Sequence, residues 1–271
     1  MLVLQAPADA DKSTVSCLRL WQARIGSSLS ASVSQLPATG WMCGAAMAVG
    51  RTHGRAVCCL TGGARHGDRC SPSVQLLVVD APHPMWVAGP PMAEGRCHHT
   101  LLAAGETMLA IGGVMTDHEG HGTAMRSVEM LDLKQDTCAW ATAPSLNTAR
   151  SQAACVWDAQ DRRIWVIGGD GDRGASTSIE FLDLDKLGKG WTLLPDALPR
   201  NRIAAAAVAL PSSRVAIITG GDRVTWLGLQ AGERRSATVL DLDTGECNDK
   251  YLAPMNAERR GHCLVWLGCE G

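Results

Sequence analysis

The chain has 271 residues, 46% hydrophobic and 19% charged, enough apolar material for a packed core, which excludes disorder as a description of the whole. Its 25 Lys and Arg stand against 27 Asp and Glu, a net charge of −2. No global field therefore draws it to nucleic acid or an anionic membrane, and any electrostatic recognition is local.

In chain order, the opening residues Met1, Leu2, Val3 and Leu4 form a short apolar run with no basic segment before it and no signal-type stretch after it. Nowhere do about 18 apolar residues run uninterrupted. The eleven cysteines show no CxxC spacing, so neither a zinc site nor a disulfide framework is expected. Together these features predict an intracellular protein, cytoplasmic or nuclear, with no cofactor and no resident metal. The runs 13–20 and 32–37 follow as further strand candidates.

From residue 45 onward the chain repeats itself at a period of about fifty residues. Each unit has an apolar run (45–49, 99–103, 153–157, 204–210), then a second run ending in paired glycines: Gly62-Gly63, Gly112-Gly113, Gly168-Gly169 and Gly220-Gly221. A polar stretch comes next, then a third run closing near Asp80, Asp132, Asp183 or Asp241. The unit ends with an aromatic shortly before a proline: Trp86 and Pro90, Trp140 and Pro144, Trp191 and Pro195, Tyr251 and Pro254. Short β-branched runs bounded by Gly, Pro and Asp are strand signals, and no helical period survives between them. Four strands per unit, repeated radially, make a β-propeller blade, because one blade cannot bury both faces alone.

The paired glycines, the Val-Glu-x-Leu-Asp type of strand, the Trp and the later Pro and Arg resemble Kelch repeats over roughly residues 36–268. The first copy departs from the pattern with Gly40 where Arg would fall, and the fourth with Tyr251 for Trp. The expected fold is an all-β, Kelch-type propeller in a single domain over 1–271, with units at 37–92, 93–146, 147–198 and 199–255. A fifth unit would join 1–36 to 256–271, the last strand completing the first blade and leaving no open sheet edge. A truncated ring is the alternative.

Arg96, Arg150 and Arg259 recur four residues after Met92, Leu146 and Met255, and Pro199-Arg200-Asn201-Arg202-Ile203 is similar to the matching stretch of Kelch adaptors that recruit substrates to ubiquitin ligases. The resemblance implies that Arg96, Arg150, Arg200, Arg202 and Arg259 line the central opening and bind an acidic peptide through guanidinium forks. Packing against neighbouring loops is the other role such arginines can have. Trp226, in a loop flanked by Arg223, Arg234 and Arg235, is either an apolar anchor for the partner or folded back on its own blade. The implied function is a protein-binding scaffold or adaptor using the face that carries the loops between second and third strands and between blades.

Other chemistries are weighed on their residues. The loop Asp117-His118-Glu119-Gly120-His121 offers metal-type ligands, as do Asp170 and Asp172 for calcium. Residues 169–174 spell GxGxxG, yet a strand rather than a helix is expected next, against a dinucleotide site. Copper radical oxidases on this fold need two tyrosines, and this chain has one. A sugar mutarotase on the scaffold could draw on Glu94, Glu119, His98 and His99, and Cys97 beside Arg96 is the candidate for a redox-sensing thiol.

Overall fold

The structure is a computed structural model. It describes residues 44–262 apart from 66–67, 80, 118, 136–138, 173, 211–212, 222, 226–227, 231–234 and 260, together with the backbone of strands at 2–5, 17–24 and 30–37; the strands at 223–225 and 228–230 are likewise described by backbone alone.

Runs such as Arg163–Ile167, apolar at four successive positions, are buried at nearly every residue, as expected of a central strand covered on both sides. The inner strand Ala154–Asp158 instead alternates in burial with the period of two that a pleated strand imposes. The chain begins with an antiparallel three-stranded sheet of β1 (Leu2–Gln5), β2 (Cys17–Arg24) and β3 (Ser30–Pro37), ordered β1-β2-β3. Blade I follows, as β4 (Ala46–Thr52), β5 (Arg55–Thr61), β6 (Val74–Val78) and β7 (Trp86–Ala88). Blade II has β8 (Thr100–Ala104) and β9 (Thr107–Ile111), a small hairpin of β10 (Val114–Thr116) and β11 (Gly122–Ala124), then β12 (Val128–Asp132) and β13 (Trp140–Ala143). In blade III, β14 (Ala154–Asp158) and β15 (Arg163–Ile167) precede the hairpin β16 (Asp170–Gly171) and β17 (Gly174–Ala175), with β18 (Ile179–Asp183) and β19 (Thr192–Leu194) outermost. Blade IV repeats this with β20 (Ala206–Leu210), β21 (Val215–Thr219), the hairpin β22 (Arg223–Thr225) and β23 (Gly228–Gln230), β24 (Ala237–Asp241) and β25 (Cys247–Asn248). Every pairing is antiparallel, and each blade keeps its four main strands in sequence order.

The three larger apolar cores lie between blades. Leu109, Ile111, Val128 and Leu146 of blade II pack with Ile164, Val166, Leu182 and Trp191 of blade III. Val156, Trp165, Ile167 and Ile179 of blade III meet Ala216, Ile218 and Leu240 of blade IV. This is the stacking that lets each sheet bury the face its neighbour exposes. The segments between second and third strands, read from sequence as loops, fold into hairpins in blades II to IV. The GxGxxG run 169–174 lies in the hairpin turn of blade III, and β18 rather than a helix follows it.

Four complete blades and a three-stranded sheet are described, so a count of five is not established. The strand 263–267 that was expected to close the first sheet lies outside the described residues, as does Trp226. No helix among the described residues is long and apolar enough to cross a membrane.

Candidate functional site at the loop face

Paired glycines make the junctions between blades. At Gly112-Gly113 both residues take positive φ, +57° and +105°, which glycine adopts without the penalty a Cβ brings. A Cβ on Gly112 would lie 2.3 Å from the carbonyl oxygen of Arg150. The Gly113 N–H donates to that same carbonyl at 2.9 Å. The pattern recurs from Gly63 to Arg96, Gly169 to Arg202 and Gly221 to Arg259. Each interblade connection is thus bonded to the blade before it.

The same connections pair with the hairpins of their own blades. Cys97 and Val114 exchange backbone hydrogen bonds, as do Ser151 and Asp170. Connections and hairpins therefore share one face, as the strand order requires.

At the inner edge of that face the backbone forms a continuous chain of hydrogen bonds. His98 N–H donates to Gly44, Gln152 to His98, Ala204 to Gln152 and Gly261 to Ala204, at 2.7 to 2.9 Å. All five residues are left-handed, with φ of +70°, +53°, +51°, +55° and +57° in chain order. They and the residues after them border one cavity of about 430 Å³. Its lining is mostly small, with Ala45, Ala153, Ala204 and Ala205, and its polar side chains are His98, His99, Thr100, Gln152 and His262. His99 is buried beside Thr61, Nε2 to Oγ1 at 2.7 Å. Burial, reinforced by Arg96 and His98, pushes its pKa down to about 3. His262 repeats the arrangement on Thr219 at 2.8 Å, and burial lowers its pKa too.

The arginines divide into two groups. Arg96 is 0% exposed, Arg150 1% and Arg202 2%. Arg96 Nη2 meets Glu129 Oε1 at 2.7 Å while Nη1 donates to Gly112 O and Ser127 O. Arg150 does the same with Glu180 at 2.7 Å, Gly168 O and Ser178 O. Arg202 donates to Gly220 O and Thr238 Oγ1, and Asp249 accepts from Thr238 and from Arg200. Glu129 and Glu180 also collect the backbone N–H groups of Ala93 and Glu94, and of Asn147 and Thr148. Three of the expected recognition residues, Arg96, Arg150 and Arg202, therefore do not offer their guanidinium forks to a partner, because glutamate or threonine of the same blade and backbone carbonyls already occupy them. Arg200 is 29% exposed and paired with Asp249 at 2.7 Å. Arg259 is exposed.

Two arginines not named from sequence as recognition residues, Arg235 having entered only as a flank of the Trp226 loop, belong to the second group. Arg126 and Arg235 are exposed, each directly before the serine that precedes a third strand, Ser127 and Ser236. Their Nε atoms donate to Leu146 O at 2.7 Å and Met255 O at 2.6 Å. That fixes each side chain on the loop face, with no further partner for its Nη atoms among the described residues. The repeated Arg-Ser step was the available signal.

The remaining candidates are placed as follows. Glu94 bonds Ser127 and Arg96, and Glu119 lies with Asp117 and His121 at the exposed tip of β10–β11, their ligand-type atoms within 4.8 Å of one another. Cys97 is not a free thiol: it is disulfide-bonded to Cys70, which overturns its reading as a single sensing cysteine. The partner comes from the preceding blade, a proximity that spacing along the chain does not reveal.

Comparison with known proteins agrees with the repeats. No family model matches the chain. Over 104 residues it is 35% identical to human Kelch-like protein 34, a stretch covering 38% of this chain and 15% of that protein. The solved structure of YjhT superposes with a TM-score of 0.68 at 14% identity, covering 92% of this chain and 80% of that one, a likeness of fold. The chain is a β-propeller whose repeats are similar to Kelch repeats. The propeller spans only a small part of the length of the curated relative, whose activity as a whole is not carried over.

Proposed function

We propose that this propeller is a protein-binding module, a scaffold or substrate-recruiting adaptor, that holds a partner segment on its loop face. The observation that supports this reading is the set of exposed arginines at 126, 235 and 259 on one face, the first two held in place by backbone carbonyls. Pre-positioned guanidiniums lose little entropy on binding and pair bidentately with carboxylates. The partner is accordingly an acidic segment, and the neighbouring cavity of small residues receives an apolar side chain from it.

The test is affinity purification with the wild type beside the triple variant Arg126→Ala, Arg235→Ala, Arg259→Ala. The expected result is loss of a specific partner from the variant, and weakening of the wild-type complex as salt rises. A partner retained equally by both moves the binding surface elsewhere.

A further inference from the structure

We propose that Cys70 and Cys97 form a reversible dithiol–disulfide site that latches the loop face between blades I and II. Cys70 lies between β5 and β6, and Cys97 in the connection into β8, with Cα atoms 5.6 Å apart, inside the span a disulfide requires. The two backbones run side by side irrespective of the sulfurs. Gly95 would place a Cβ 2.0 Å from Cys70 O, Arg96 N–H donates to Ser71 O, and Ser71 N–H donates to Gly63 O. Reduced thiols would therefore still face each other.

The other junctions show that the bond is an addition to the scaffold. Ser71 N–H on Gly63 O corresponds to Met125 on Gly113 and Ser176 on Gly169. The residues matching Cys70 are then Ala124 and Ala175, and those matching Cys97 are Ser151 and Ile203. Junctions II–III and III–IV hold through hydrogen bonds and packing without sulfur, so the first junction has the means to remain folded when reduced. Four other cysteines, Cys58, Cys59, Cys155 and Cys247, have thiols pushed up to about 12, burial being the largest cause for each, and behave as small hydrophobes.

Closure needs an oxidant of the low-molecular-weight disulfide class, such as glutathione disulfide. One protein thiolate attacks it, forming a mixed disulfide and releasing one glutathione. The second protein thiolate attacks that mixed disulfide and releases the other. Two protein thiols are oxidised, one small disulfide is reduced, and both protons leave on the released thiols.

The position gives the bond its consequence. Cys97 pairs with Val114 in β10, Cys70 N–H donates to Thr116 Oγ1, and His98, the next residue, borders the central cavity. Oxidation ties a segment of blade I, a hairpin of blade II and the cavity rim together. Its effect on partner binding rests on the function proposed above, while the redox step does not.

The experiment equilibrates the full chain in glutathione buffers of graded ratio, traps free thiols by alkylation and reads the Cys70–Cys97 peptide by mass spectrometry, with circular dichroism following the fold. The expected result is one reversible two-electron transition in a folded protein. Amide exchange at Cys97 and Val114 becomes about tenfold faster on reduction, and exchange at Ser151 and Asp170 does not change. Cys70→Ser should reproduce the reduced exchange pattern in any buffer. A bond that opens only on unfolding, one that never forms, or exchange indifferent to redox state would each overturn the latch. Redox behaviour as expected in the wild type, together with a partner retained equally by the triple arginine variant, would isolate a failure of the binding reading alone.

Discussion

The buried Arg–Glu pair shows how a charge is admitted into this fold. In blades II and III an arginine from the connection and a glutamate from the third strand arrive together, Arg96 with Glu129 and Arg150 with Glu180. In blade IV the strand position is Thr238, and Asp249 from beyond the outer strand completes the set. In blade I it is the neutral Gln75, and the sequence position of the arginine holds Gly40. A buried charge is tolerated only when compensated, so where the strand glutamate is missing the arginine is either missing as well, in blade I, or served by Thr238 with Asp249 behind it, in blade IV. Glu180→Ala should therefore cost about 3 to 5 kcal/mol by stranding Arg150, and the apolar double variant Arg150→Met, Glu180→Leu should cost less than that single change; urea melts compare them directly. The recurrence of arginine was legible in the sequence. Its direction was not, because whether a side chain points to solvent or into its own blade depends on where the third strand passes. His99 gives a pH dependence. Its folded pKa of about 3 lies below the usual value near 6.5, so below about pH 6.5 the unfolded chain binds a proton that the folded one refuses. Stability from this residue is intact at neutral pH and falls between 6.5 and 3, by about 2 kcal/mol at pH 5. The wild type should lose more thermal stability between pH 7 and 5 than His99→Asn does.

The outer strand carries the clearest link between adjacent sheets. Trp140 Nε1 donates to Pro90 O at 3.0 Å and Trp191 Nε1 to Pro144 O at 2.7 Å, each reaching back to the preceding blade. Trp191→Ala should cost roughly 3 to 5 kcal/mol. Tyr251, in the same sequence slot of the fourth unit, is 75% exposed, and Tyr251→Ala should stay within about 0.5 kcal/mol; paired thermal denaturations separate the two. The disulfide acts at this scale as well. With its ends 27 positions apart in the sequence, Cys70→Ser should lower the stability of the oxidised protein by about 3 to 4 kcal/mol. Strand positions were readable because the runs are short, apolar and punctuated by Gly and Pro. The hairpins of blades II to IV were not, since residues such as Asp170, Gly171, Gly174 and Ala175 carry no strand propensity and are extended only because their neighbours bond to them.

For the molecule as a whole, the segment Arg259 to His262 is informative. It docks on blade IV as Arg96 to His99 docks on blade I: a carbonyl for the second glycine, a histidine for the threonine. It therefore has the form of a connection entering a further blade, and the sheet β1-β2-β3 is one strand short of four. We propose that residues after 262 supply that strand, making one unit of 1–36 and 256–271. Deletion of 263–271 should then lower the melting temperature and make residues 1–37 susceptible to protease. A deletion with neither effect would favour an open ring.

The chain of backbone hydrogen bonds through Gly44, His98, Gln152, Ala204 and Gly261 separates architecture from chemistry. The spacing of the blades at the rim is set by peptide groups, which every residue but proline supplies. The side chains that follow, at 45, 99, 153, 205 and 262, are left to differ: alanine at three, and at two a histidine matched by Thr61 or Thr219 in place of Ile111 or Ile167. The rim can thus acquire a new specificity by paired substitutions, such as Ala205→His with Ile167→Thr, without any blade having to move. For a repeat protein this is a route to diverging ligands on an unchanged frame, with backbone geometry held constant while selection acts on what faces the opening.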